Sequence, residues 1–337
     1  MTMKLKGMAA AFVAAASLFA VAAPSHAAAV ITNGTVTLGV NDLGQLNVPG
    51  PASAGGTPYV GLRYNATGFE STAPGCLCEG WGVGLVSSGM SGYANEAMGT
   101  AGLTLVSFAS TATTATSVTR VGSALEITHF YHPSTSSNLY QVDVSIKNIS
   151  GSAIAAGDLV YRRVMEWDVE PTPFDEFVTI SGVPAALGLA AGNNIRGTGD
   201  NGFASANPLS GESKTISCAA DSNFTDCGPN DHGALFDFVF EALTDGATRV
   251  FTTFYGAAGN ESDAIAALGS VGAGLYSLGQ TRTDPVGGTP TTFIFGFGSD
   301  GGVLTPPRAV PEPGSMALLG LGFAGLAAFR RKQKRAA

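Results

Sequence analysis

The sequence predicts an all-β protein: an enlarged antiparallel β-sandwich with one short helix, flanked by an N-terminal signal helix and a short C-terminal transmembrane helix. Three observations carry this. Short segments alternate apolar and polar residues with period two. Glycine is abundant, 46 of 337 residues, which suits many tight turns. The middle of the chain is rich in Thr, Ser and Ala, and only one stretch in it has helical character.

The first 27 residues read as a signal peptide. Lys4 and Lys6 form a positive start, and residues 8–23 are apolar. Ser25 and Ala27 then place small residues at the −3 and −1 positions of a cleavage site. Cleavage is expected after Ala27, with Ala29 as the alternative, so signal peptidase is an expected partner.

Residues 28–309 form the expected body. Residues 30–40, 59–64 and 81–87 make an N-terminal set of strands. In residues 125–131, Leu125, Ile127, His129 and Tyr131 share a face, and residues 141–147 alternate cleanly. Residues 235–240 and 249–255 read as an aromatic-rich pair joined by a turn at Asp245-Gly246, and residues 291–297 as the last strand. The helix is placed at 261–268, with Asn260 as N-cap and Ala264, Ile265 and Leu268 as its buried face.

Charge narrows the partners. Of 17 basic residues, two lie in the leader and five at the C-terminal end, leaving ten in the body against 24 acidic residues. A body near −14 disfavours nucleic acid and anionic membrane, and suits divalent cations or simple solubility.

The most distinctive internal stretch is 158–182. Arg163 falls on a strand face of apolar and aromatic residues, where a guanidinium needs a carboxylate partner. Glu166, Asp168, Glu170, Asp175 and Glu176 follow within a few residues. Either these acids balance Arg162 and Arg163 at a strand end, which is the plainer reading, or they form a cation site or a catalytic carboxylate pair.

Four cysteines suit an oxidising compartment. Cys218 and Cys227 bracket a comfortable local loop, which leaves Cys76 with Cys78; three pairings are possible on paper. The spacing is not that of a zinc site. Around Cys227, Asp221, Asn223, Asp226 and Asp231 offer oxygen ligands for a Ca²⁺ loop, without the glycine and terminal glutamate of an EF-hand. A solvated surface loop is the alternative reading.

Common catalytic signatures are absent: no G-x-S-x-G, no H-E-x-x-H, no phosphate-binding glycine loop. Body histidines are His129, His132 and His232, and His129 lies on an apolar face as a core residue would. Trp81 and Trp167 read as core rather than as sugar platforms. No catalytic residue is assigned, and the body is expected not to be an enzyme. A carboxylate-pair hydrolase leaves no local spacing to detect, so it stays as a minor alternative.

At the C-terminus, Pro311-Glu312-Pro313 precedes an apolar run at 316–329 and the basic group Arg330, Arg331, Lys332, Lys334 and Arg335. Such a run spans ~21 Å, short of the roughly 30 Å hydrocarbon core, and is extended to 314–329 by Gly314 and Ser315. The basic end stays cytoplasmic and the prolines outside. This order of parts over 310–337 resembles the PEP-CTERM sorting signal. The resemblance implies an exported protein held in the inner membrane through 314–329, cut by an exosortase at Pro311, Glu312 and Pro313, and passed to the cell surface or beyond.

It also implies association with exopolysaccharide in a biofilm. Residues 158–182 and 76–82 resemble an uncharacterised body found on proteins with that signal, which brings no activity. The alternative reading of the body is a Ca²⁺-dependent glycan-binding or ice-binding module. The ice-binding idea rests on the threonines of 111–116.

Overall fold

A computed structural model describes residues 27–282 and 290–298. The expected signal helix, transmembrane segment and sorting motif lie outside these residues. Strands are numbered in chain order. The largest sheet has nine strands, edge to edge: β16 (Phe224–Asn230), β14 (Glu176–Ser181), β19 (Ala273–Gln280), β20 (Thr292–Gly298), β18 (Thr248–Ala258), β12 (Leu139–Asn148), β11 (Leu125–Pro133), β10 (Ala115–Val121) and β9 (Thr104–Ser110). A five-stranded sheet runs β15 (Ile195–Gly199), β17 (Gly233–Val239), β13 (Leu159–Glu166), β7 (Gly80–Leu85) and β8 (Met90–Asn95).

Two small sheets complete the set. One orders β1 (Ala28–Thr32), β2 (Val36–Asn41), β5 (Leu62–Tyr64) and β6 (Phe69–Glu70), and the other pairs β3 (Val48–Pro49) with β4 (Tyr59–Val60). All the strand pairs are antiparallel among the described residues. The result is a mainly antiparallel β-sheet domain, loosely sandwich-like.

Period two explains the core of the large sheet. In β12, Val142, Val144 and Ile146 are fully buried while Gln141, Asp143 and Ser145 are not. These residues share a core with the five-stranded sheet, where Phe236 meets Phe295 and Phe297, and Phe238 meets Phe251 and Phe297. Edge-on and tilted rings at such spacings add to the burial itself.

β13 does not alternate, because both its faces are covered. Tyr161 and Met165 face the shared core, whereas Val164 packs with Ala204 and Ala206 of an overlying loop. Close approach of that loop explains Gly82, where a Cβ would collide with the Ala206 carbonyl.

Three expectations are corrected. The strands either side of Asp245-Gly246 are not a hairpin: β17 belongs to the five-stranded sheet and β18 to the nine-stranded one, so the chain crosses between layers there. Their aromatic residues meet ring to ring across the core instead of by ladder hydrogen bonds.

The helix α1 (Glu261–Ser270) is the single α-helix among the described residues, and the Asn260 side chain accepts from the Asp263 N–H as expected. It buries Ala264, Ala267 and Leu268 on the outer face of the large sheet, but Ile265 is 45 % exposed. Finally, residues 111–114 are the turn between β9 and β10, with the Thr111 hydroxyl accepting from the Thr113 and Thr114 N–H groups. Those threonines close a hairpin and make no flat array.

Candidate functional site

Charge on β13 is resolved in two different ways. Arg162 donates to both oxygens of Asp237 at 2.7 and 2.9 Å. Arg163, fully buried, donates to Glu79 at 2.7 Å and to the Tyr131 hydroxyl at 3.1 Å, and its guanidinium lies over the Tyr255 ring. Glu79 also accepts from the Tyr255 hydroxyl and the Leu46 N–H. The partner that Arg163 requires is therefore Glu79, 84 residues away, and not the nearby acids. His129 sits beside this network, bonded to the Tyr161 hydroxyl and packed on Trp81, and burial drives its imidazole pKa well below the usual range. His129 is a core residue.

The acids after β13 separate. Glu170 is satisfied by the hydroxyls of Ser53 and Thr57 and the N–H groups of Gly55 and Glu70. Asp175 pairs on the surface with Arg282. Glu166, Asp168 and Glu176 are each 1 % exposed or less and have no Arg or Lys partner among the described residues. Their placement follows from the topology. Glu166 ends β13, Glu176 begins β14, and Asp231 lies in the connection between β16 and β17. One carboxylate oxygen each from Glu166, Glu176 and Asp231 lie within 4.8 Å of one another. Asp168 lies beside them, in electrostatic contact with Glu166, Glu176 and Asp231.

Five oxygens here have no hydrogen-bond partner: both of Glu166, Oδ1 of Asp168, Oε2 of Glu176 and Oδ1 of Asp231. The remaining oxygens are used for positioning. Asp168 Oδ2 accepts from the Cys76 N–H at 3.3 Å, and Glu176 Oε1 accepts from the N–H groups of Val169 and Phe174. Turning the Phe174 N–H onto Glu176 places Phe174 at φ 75°, a left-handed conformation that disfavours a bulky residue.

Burial above all raises these carboxyls, Glu166 well above the usual range, Glu176 to about 9 and Asp168 to about 6. Neighbouring acids add to the rise of Glu166 and Glu176, whereas the contact with Glu166 and the Cys76 N–H hold Asp168 back. Hard oxygen donors with no N or S among them suit a divalent cation of the calcium or magnesium kind.

The oxygen-rich loop is corrected as a set. Asp221 pairs with Lys214 and accepts from the Thr198 N–H, Asn223 accepts from the Val183 N–H, and Asp226 accepts from the Thr179 hydroxyl. Only Asp231 of the four points a partnerless oxygen toward other acids, and it joins Glu166 and Glu176. The structure pairs Cys218 with Cys227 and Cys76 with Cys78. Cys218, Cys227 and His232 lie together, but the disulfide removes both thiolates as metal ligands.

Asp200 and His232 are bonded at 3.0 Å through Nδ1, and the Ser217 hydroxyl approaches the same nitrogen at 3.4 Å. A nucleophilic triad needs the hydroxyl on the other ring nitrogen. Asp200 instead anchors the disulfide loop, accepting from the N–H groups of Ile216, Ser217 and Cys218. Trp81 and Trp167 are fully buried and donate to the Leu43 carbonyl and the Ser277 hydroxyl, so both are core.

No helix among the described residues is long and apolar enough to cross a membrane. No curated protein matches the chain in sequence. Among solved structures, an Escherichia coli K12 protein assigned as an aldose 1-epimerase is similar at 10% identity and a TM-score of 0.29, over 81% of this chain and 88% of that one. At that TM-score the likeness supports neither a fold assignment nor an activity. Residues 309–332 match the family described as the PEP-CTERM protein-sorting motif, so this is an exported protein that carries that motif behind a β-sheet body.

Proposed function

We propose that the chain is a non-enzymatic surface or matrix protein, delivered through its PEP-CTERM motif and retained near exopolysaccharide outside the cell. The match at 309–332 carries this reading. In it, signal peptidase removes residues 1–27. The segment 314–329 then holds the precursor in the inner membrane until an exosortase acts at Pro311, Glu312 and Pro313. In this reading the body is an enlarged β-sandwich of the described sheets, in which the two Trp, His129 and the Asp200–His232 pair serve as structural groups. Two disulfides suit the compartment to which the motif directs it.

The test is the intact mass of the protein recovered from the cells that make it. A chain that begins near Ala28 and ends near Pro313 supports the reading. A chain that ends at Ala337 overturns exosortase processing.

A second reading has one observation behind it, the carboxylate group on Glu166, Asp168, Glu176 and Asp231. In that reading the body binds glycans in a Ca²⁺-dependent manner. Binding to an array of bacterial polysaccharides that disappears in EDTA would favour it over a purely structural body. Turnover of a polysaccharide, lost in Glu166→Gln, would instead bring back the hydrolase alternative.

A further inference from the structure

The geometry points to a calcium site built from Glu166, Asp168, Glu176 and Asp231, placed where the two principal sheets cross over. Four facts carry it. Oxygens from Glu166, Glu176 and Asp231 converge within 4.8 Å, and two oxygens on one Ca²⁺ at roughly 2.3–2.6 Å stand at most ~5 Å apart, so the group holds an ion with little rearrangement. Glu166, Asp168 and Glu176 are buried beyond nine-tenths, yet each keeps a partnerless oxygen, and because both Glu166 oxygens lack a partner the one that meets Glu176 and Asp231 does too.

Third, among the described residues no guanidinium or ammonium supplies the missing charge. Arg162, Arg163 and Arg282 are committed to Asp237, Glu79 and Asp175. Burying several carboxylates without counter-charge is costly, and a divalent cation removes that cost at one stroke. Fourth, the ligand set discriminates. All donors are carboxylates, and their number exceeds the one or two that Mg²⁺ ordinarily takes while keeping its waters.

Position gives the ion its role. Glu166 belongs to the five-stranded sheet and Glu176 to the nine-stranded sheet, and Asp231 sits on the chain that passes from one to the other. Asp168 is tied by the Cys76 N–H to the Cys76–Cys78 segment. An ion here fastens the two layers at one end, much as a disulfide would, but reversibly. Outside the cell, sites of modest affinity, with Kd on the order of 10⁻⁴–10⁻³ M, are adequate for such a role.

The experiment uses the exported protein, stripped with EDTA and then given Ca²⁺ or Mg²⁺ alone, read by native mass spectrometry and thermal unfolding. One Ca²⁺ per chain is expected, with Tm rising by roughly 5–10 °C when Ca²⁺ is about 100-fold above its Kd. The double variant Glu166→Gln, Glu176→Gln should lose both the ion and the shift. Its Tm in EDTA should equal or exceed that of the unaltered chain, because like charges have been removed, and this shows that it folds.

Asp221→Asn should keep the ion. An unaltered chain that takes up no Ca²⁺ and shows no shift at millimolar Ca²⁺ overturns the site. So does retention of the ion by the double variant. Preference for Mg²⁺ over Ca²⁺ overturns the calcium assignment.

Discussion

The two halves of the segment from Leu159 to Glu176 treat buried charge in opposite ways. In the first, Arg162 meets Asp237 of β17 and Arg163 meets Glu79, just ahead of β7, each at 2.7 Å, and Glu79 has further donors from Tyr255 and Leu46. In the second, Glu170 is likewise satisfied, but Glu166, Asp168 and Glu176, as deeply buried, keep oxygens that meet no donor. Burial alone therefore does not separate a structural charge from a binding one. The separation comes from whether every lone pair and N–H has been used.

Four substitutions would sharpen or break this contrast. The largest effect is expected at Arg163→Met, which leaves Glu79 buried without its cation. It should cost about 3–5 kcal/mol in urea unfolding, and adding Glu79→Leu should recover much of it. A cost below about 1 kcal/mol would mean that the pair is not held as described.

Next is Asp200→Asn, at about 1–3 kcal/mol near neutral pH. Burial pushes the Asp200 carboxyl up, but His232 and the N–H groups of Ile216, Ser217 and Cys218 outweigh it and hold the group well below the usual range. Its folded pKa is thus lower than its unfolded value of about 3.9, so its contribution is present above that pH and fades as pH falls through the folded value. The variant's deficit should shrink correspondingly in acid unfolding curves.

Glu166→Gln should change sign with conditions. In EDTA it should be neutral or stabilising by about 1 kcal/mol, because one of several crowded carboxylates is gone. In Ca²⁺ it should be less stable than the unaltered chain. A penalty of the same size in both solutions would argue for a purely structural carboxyl. The smallest effect is expected at Asp221→Asn, whose partner Lys214 is partly solvated, at about 0–1 kcal/mol by thermal unfolding.

Much of the sheet structure was legible in the residues. Residues 141–147 alternate because one face of β12 is buried and the other is not, and that difference is written into the side chains. β13 resists the same reading, since the loop bearing Ala204 and Ala206 covers its second face and removes the polar alternation. Alternation also says which face of a strand is buried but not which sheet the strand joins, so β17 and β18 looked like a hairpin although they lie in different layers.

The site was half legible. Glu166, Asp168 and Glu176 stand out as a local run of acids, but their use depends on distant groups. Asp237 and Glu79 take the arginines, and Asp231 arrives from another strand connection. Composition flagged the loop at 221–231 for its oxygens. Composition could not show that the N–H groups of Thr198 and Val183 had already claimed Asp221 and Asn223. Ile265 misled for a smaller reason: its neighbour Ala267, a smaller residue, fits the tight contact with the sheet.

β20 is the last described strand before the sorting motif, and it is an interior strand of the nine-stranded sheet. Six residue pairs join it to β18 and seven to β19. Were the chain held by its C-terminal end, as the proposed precursor is, any mechanical load would fall on a strand gripped from both sides. Pulled from that end in a force spectrometer, the body should yield by shearing two ladders together, at higher force than if β9, an edge strand, were the handle.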